Sequence, residues 1–298
     1  MLKKIFSFFI AFVSFILSLF GIGSGSSDNN YVFKDLRYGT SKEQTLDLYI
    51  PKDAKKTCGL VLFLHGGTWI DGDKSEIEEE TLKSFCNDLG YAAATMNYRR
   101  VSSRLSASDV ISDIDLALLK IKETGNNYET NINRVLLYGK SAGGHLALLY
   151  GYSKTMTAPM KISAIVAESA PSDLSDKNFY SAFSTLAGSK DEIYSLMSNV
   201  CGKKFNEKNF ARAVSKLKEI SPITYVSSNC PPTLLAHGKK DSVVPFTNAM
   251  VLDSALSTMK VKHDFVVFEN SGHDLSGDSK KTKELKDLAS GYIKNYLK

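Results

Sequence analysis

The chain has 298 residues, 43% hydrophobic and 23% charged, with 20 Gly, 7 Pro and 4 Cys. Those proportions exclude a collagen-like repeat, a disordered chain and a disulfide-knotted miniature domain. The formal charge at pH 7 is +5, carried by 31 Lys and only 6 Arg. Phosphate recognition favours the bidentate fork of Arg, so no nucleic-acid partner is expected.

Lys3 and Lys4 precede an apolar run, residues 5–20, broken only by Ser7, Ser14 and Ser18. The small residues Gly21, Gly23, Ser24, Gly25 and Ser26 follow. A basic start, an apolar stretch and a small-residue tail read as a signal peptide or an uncleaved N-terminal membrane anchor over residues 1–30. The apolar stretch, taken to residue 22, lies between the lengths usual for a signal core and for a membrane span, so both readings stay open. Either one places the rest of the chain outside the cytoplasm, with membrane association only through residues 1–22. Cys58, Cys86, Cys201 and Cys230 are far apart and form no C-x-x-C pair, which argues against a zinc site and leaves disulfides or free thiols open.

Residues 31–298 are expected to form one α/β domain. Residues 45–50, T-L-D-L-Y-I, alternate as a strand with Leu46, Leu48 and Ile50 on one face. Residues 60–64 form a continuous apolar run ending at His65-Gly66-Gly67, and residues 91–97 form another strand. Residues 109–124 are amphipathic, with Ser108 as the expected N-cap and Gly125 as the stop. Further strands fall at 134–138, 161–167, 233–236 and 264–268. Strand and helix in alternation predict a mostly parallel sheet with helices on both faces. The interval 172–221 breaks this rhythm. It is polar and helix-compatible around 192–198 and 209–220, and is read as a lid-like insertion over the carboxyl ends of the strands.

Gly139-Lys140-Ser141-Ala142-Gly143 follows the 134–138 strand and leads into a helical run, the context of a strand–turn–helix nucleophile. The turn is so tight that only small side chains fit two residues either side of Ser141. The helix start then aims free N–H groups at charge developing beside the hydroxyl. A base for Ser141 must come from five His. His273, in Ser271-Gly272-His273-Asp274 after the last strand, is where a loop reaches back over the sheet. His145 is expected to pack behind the turn, His263 lies at the wrong end of its strand, and His65 and His237 brace loops. Asp241, in the loop after 233–236 and before a helix beginning near Phe246, is the expected carboxylate partner of His273, with Glu168 as the competing acid. The N–H groups of Gly67 and Thr68, with that of Ala142, are expected to hold an oxyanion.

With these residues in view, the chain from about residue 38 onward resembles the α/β-hydrolase superfamily, and within it small carboxylesterases of the acetyl-esterase, lipase-like and arylformamidase-like group. The marks are Leu46-Asp47-Leu48-Tyr49-Ile50-Pro51, His65-Gly66-Gly67-Thr68-Trp69, Gly72-Asp73-Lys74, Asn97-Tyr98-Arg99, the run from Gly139 to His145, Ser221-Pro222-Ile223, the stretch from Pro232 to Pro245, and Gly272-His273. The order Ser141…Asp241…His273 is that of the superfamily. Thr68 stands where the hormone-sensitive-lipase type carries a third Gly, and Lys140 where many relatives carry an acid or His. Lys140 is expected to point away from the site into solvent. The resemblance implies a cofactor-free serine hydrolase of short-chain carboxylic esters, including acetyl or feruloyl esters of carbohydrate. An exopeptidase or formamidase of the same fold and a catalytically silent extracytoplasmic binding protein are the alternatives.

Overall fold

The computed structural model describes residues 29–54, 57–181 and 189–298. The leader read from residues 1–30 lies outside them except for its last two residues. Eight strands form one sheet: β1 (Asn30–Arg37), β2 (Thr45–Pro51), β3 (Thr57–Leu64), β4 (Ala92–Met96), β5 (Asn131–Lys140), β6 (Lys161–Glu168), β7 (Thr233–Gly238) and β8 (His263–Phe268). Their order is β1-β2-β4-β3-β5-β6-β7-β8, antiparallel from β1 to β4 and parallel thereafter. The apolar runs of β3, β5 and β6 are continuous because both faces of these central strands are covered.

The helices are α1 (Glu79–Asn87), α2 (Ala107–Asn127), α3 (Ala142–Ser153), α4 (Lys190–Cys201), α5 (Val214–Glu219), α6 (Phe246–Thr258) and α7 (Ser279–Tyr296). α2, α3, α6 and the 172–221 interval share one core cluster with Leu60, Leu62 and Leu137 of the sheet. α1 and α7 pack on the other face against Val61, Phe63, Leu136 and Tyr138. Alternate residues of β3 and β4, and of β5 from Val135 onward, thus serve opposite layers, as the pleat requires. α3 is apolar all round and buried along nearly its whole length, so its position is fixed from every side.

Two expectations are corrected. α2 begins at Ala107, and its N-cap is Ser106, not Ser108. Asp109 Oδ2 accepts from both the Ser106 N–H (2.8 Å) and its hydroxyl (2.7 Å), a contact that Ser108 is too far along to make. The helix also runs through Gly125 to Asn127. β1 had no counterpart in the sequence reading. It is an edge strand whose register shifts between Phe33 and Leu36, and that irregularity interrupts the two-residue period by which strands are read.

The 172–221 interval leaves from the carboxyl end of β6 and contains α4, a 3-10 turn (Glu207–Arg212) and α5, with no strand among its described residues. Its two ends are tied by Leu174 N–H to Ser221 Oγ (2.9 Å) and Ile223 N–H to the Ser172 carbonyl (3.1 Å). Within it Tyr180 stacks on Tyr194 (centroids 5.1 Å apart) and meets Phe205 and Phe210 edge-on, giving the segment an aromatic core continuous with that of the sheet. Cys58, Cys86, Cys201 and Cys230 are all buried free thiols, and burial pushes the Cys58 thiol up to about 11. No helix among the described residues is long and apolar enough to cross a membrane.

Candidate functional site

β5 turns into α3 at Ser141, whose backbone lies at φ 52°, ψ −121°, outside the usual regions for a side-chain-bearing residue. Two glycines make the turn possible by close approach. A Cβ on Gly139 would lie 2.3 Å from the Gly143 carbonyl oxygen, and one on Gly143 would lie 2.0 Å from that of Leu64. The second contact also matters for chemistry. It seats the start of α3 directly against the end of β3, where His65-Gly66-Gly67-Thr68 follows. The Ala142 N–H opens α3 and has no carbonyl a turn earlier within the helix to bond.

The loop after β8 brings His273 onto Ser141, with Nε2 3.0 Å from the serine Oγ. His273 Nδ1 lies 2.8 Å from Asp241 Oδ2. The other carboxylate oxygen, Oδ1, accepts from the N–H groups of Val243 (2.8 Å) and Val244 (2.9 Å). Burial by itself would raise the Asp241 pKa, but the His273 and His237 rings outweigh it and hold the carboxyl well below the usual range. Ser169 Oγ donates to the His273 carbonyl (3.0 Å), anchoring the loop from the end of β6. Ser141, His273 and Asp241 are therefore one hydrogen-bonded series, and all three are buried.

Gly67 (φ 103°), Thr68 (φ 53°) and Trp69 (φ 62°) adopt left-handed conformations in succession. A β-branched Thr is strained there, and its Oγ1 donates to the Gly67 carbonyl at 2.7 Å. Three separated sequence marks converge beneath this loop. Lys74 Nζ lies 2.7 Å from Asp47 Oδ1, Lys74 N–H donates to Asn97 Oδ1 (2.6 Å), and Asn97 Nδ2 donates to Asp73 Oδ2 (2.9 Å). The Tyr98 hydroxyl donates to the His65 carbonyl (2.8 Å). Arg99 pairs with the buried Asp113. Residues scattered from Asp47 to Asp113 thus meet in this region, and the Tyr98 hydroxyl bonds the loop itself.

The remaining histidines take the places expected of them. His145 accepts from the Trp69 indole N–H at Nδ1 (3.0 Å) and donates from Nε2 to the Ile220 carbonyl (2.7 Å), linking the glycine loop, α3 and the end of the insertion. His65 stacks on Tyr98, 4.2 Å between centroids. His263 opens β8, at its far end. Burial lowers both His65 and His145 from 6.5 to about 4. The unfolded chain takes up these protons near pH 6.5 and the folded chain only near pH 4, so stability falls as pH drops through that window. Protonating His145 Nδ1 also removes its bond from Trp69. Between pH 7 and pH 4.5 the wild-type melting temperature is expected to fall roughly 5 °C more than that of His145→Gln. Equal slopes in calorimetry would remove His145 as the source.

Lys140 does point away from Ser141, but not into solvent. It shares the face of Leu136 and Tyr138, and is 3% exposed. Its Nζ reaches the Asp274 carbonyl at 3.5 Å, and burial lowers its pKa against the pull of Glu168 and Asp274. Glu168 lies on this same far face, where its Oε1 accepts from the Tyr138 hydroxyl. The competing acid therefore bonds Tyr138, while the His273 Nδ1 is taken by Asp241. The two-residue period of β5 and β6 carries this information, since Lys140 and Glu168 are paired in register. One contact was not read from the sequence: His237 Nε2 lies 3.1 Å from Asp241 Oδ2.

The sheet order, the strained serine between β5 and α3, and its bonded histidine and aspartate define an α/β-hydrolase. Residues 46–256 match the BD-FAE family model, and the chain belongs to that family. A probable isoprenylcysteine alpha-carbonyl methylesterase, ICME, of Oryza sativa subsp. japonica is 26% identical over 262 residues, covering 81% of this chain and 58% of its own length. The probable carboxylic ester hydrolase LipM of Mycobacterium tuberculosis is 26% identical over 260 residues, covering 83% of this chain and 57% of its own. The chain thus spans somewhat over half the length of these curated relatives. Among solved structures, a truncated carbohydrate esterase from gut microbiota superposes with a TM-score of 0.69 at 18% identity, over 91% of this chain and 100% of that one.

Proposed function

We propose that the protein hydrolyses short-chain carboxylic esters, including acetyl or feruloyl esters of carbohydrate, through an acyl-enzyme on Ser141. The observation that carries this reading is the unbroken series from Ser141 Oγ to His273 Nε2 (3.0 Å) and from His273 Nδ1 to Asp241 Oδ2 (2.8 Å). His273 takes the Ser141 proton as Oγ attacks the acyl carbon. The N–H groups of Gly67, Thr68 and Ala142 hold the oxyanion, and Asp241 stabilises the imidazolium. His273 then gives its proton to the leaving alcohol. Water deacylates the enzyme with His273 again as base, and no cofactor enters the scheme. The names of the relatives, a methylesterase and a carboxylic ester hydrolase, favour esters over peptides. The basic and apolar leader of residues 1–30 supports placing this activity outside the cytoplasm.

The test is a panel of p-nitrophenyl esters of increasing acyl length with acetylated xylan, feruloyl esters, an aryl formamide and a dipeptide amide, alongside fluorophosphonate labelling. The expected result is highest kcat/KM on the shortest acyl esters and labelling of one equivalent at Ser141. Folded protein that takes no label would point to a silent binding module. Faster turnover of the formamide or the amide would move the assignment to those reactions.

A further inference from the structure

We infer that His237 is a positioning residue for Asp241, acting through that carboxylate on the His273 imidazole. The inference rests on the reading of Ser141, His273 and Asp241 given above. β7 ends in His237-Gly238, and the strand alternation puts His237 on the face of Leu235, under the loop that carries Asp241. The ring meets Phe246 of α6 edge-on, 6.1 Å between centroids. Its Nε2 lies 2.9 Å from the Val244 carbonyl and 3.1 Å from Asp241 Oδ2. Both neighbours are acceptors, so Nε2 carries the hydrogen and shares it between them.

A histidine that only braced the loop would need the Val244 carbonyl alone. This one also reaches the carboxylate oxygen that holds His273. Asp241 is thereby gripped by four donors: two main-chain N–H groups on Oδ1 and two imidazoles on Oδ2. The His237 and Asp241 side chains are 1% and 0% exposed, so water cannot stand in for a missing donor. Two consequences follow. The carboxylate cannot rotate away from His273, and part of the charge on Oδ2 is drawn toward His237. The groups that act on Asp241 are His237 from β7, His273 from the loop after β8, and, across the sheet, Lys140 from the end of β5. Of these, only His237 and His273 touch Oδ2. With His237 removed, Oδ2 holds more charge for His273 alone and favours its imidazolium form.

The experiment compares the full chain with His237→Leu and His237→Gln, the amide of Gln being able to donate from nearly the same place. His273 ring titration is followed by NMR on protein labelled with ¹⁵N-histidine, and kcat and KM on p-nitrophenyl acetate are measured across pH. His237→Leu is expected to move the acid limb of kcat/KM to higher pH, with the His273 ring signals following it. It should lower kcat on the order of 10–100-fold with KM unchanged, the usual loss when a supporting hydrogen-bond partner is removed. His237→Gln is expected to restore both. Should His237→Leu not fold, His237→Met takes its place in every arm. A folded variant with lower melting temperature but an unchanged His273 midpoint and kcat overturns the inference and leaves His237 a brace. Lack of ester turnover in the wild-type chain would instead count against the esterase reading, while the NMR titration still decides the role of His237.

Discussion

Ser141→Ala is expected to lower kcat toward p-nitrophenyl acetate by about 10⁶-fold and to abolish fluorophosphonate labelling. The change removes one oxygen and little else. The elbow is held by main-chain bonds that Ala keeps: Ser141 N–H to the Glu168 carbonyl (2.8 Å) and His145 N–H to the Ser141 carbonyl (2.9 Å). The left-handed φ of 52° is as unfavourable for Ser as for Ala, so the substitution adds no backbone strain. Substrate contacts and the Gly67, Thr68 and Ala142 N–H groups are untouched, so ester binding should persist within about threefold while turnover stops. Parallel measurement of melting temperature and of binding of a non-hydrolysable ketone analogue separates loss of the nucleophile from loss of structure. Wild-type turnover in Ser141→Ala would remove the covalent mechanism altogether.

The parts of this site that could be read from the sequence share one property: each is a local pattern at a strand end. Gly139 to Gly143 is legible because the tight turn excludes side chains at two flanking positions, and His273 and Asp241 because loops at the carboxyl ends of parallel strands converge. The central strands were legible because burial on both faces makes them continuously apolar. β1 was not, since a bulge at an exposed edge breaks its period. The network from Lys74 to Asp47 and Asn97 was visible only as separate marks, because its members meet through sheet order rather than through spacing.

Lys140 shows the boundary between the two kinds of information. Its place beside Ser141 in sequence suggested an exposed position, and that does not hold. Strand alternation sends it to the α1 and α7 face, and burial there requires charged company, which Glu168 provides electrostatically across the sheet register. Alternation alone would have assigned Lys140 and Glu168 to that face. What sequence could not supply is that this face is closed over the pair.

That separation of Glu168 from the reacting face leads to an opposed pair of outcomes for the two acids. Asp241→Asn is expected to lower kcat by about 10⁴-fold, whereas Glu168→Gln should leave it within about threefold. The reason lies in the four donors around Asp241. Oδ1 accepts from the Val243 and Val244 N–H groups, so the Asn carbonyl must occupy that side and its NH₂ must face the imidazoles. An NH₂ opposite His273 Nδ1 can only donate, which forces the hydrogen onto Nε2 and leaves no lone pair to accept the Ser141 proton. It also meets the Nε2 hydrogen of His237, so the amide is frustrated on the same side. Turning the amide over satisfies the histidines but sets its NH₂ against two main-chain donors. Glu168, by contrast, accepts from Tyr138 on the far face, and burial already holds its pKa above the usual carboxylate range. A Gln there keeps an acceptor for Tyr138, and its cost should appear in melting temperature rather than in kcat. Steady-state kinetics on both variants, normalised to folded protein, decide between the acids, and a larger loss in Glu168→Gln would transfer the role to it.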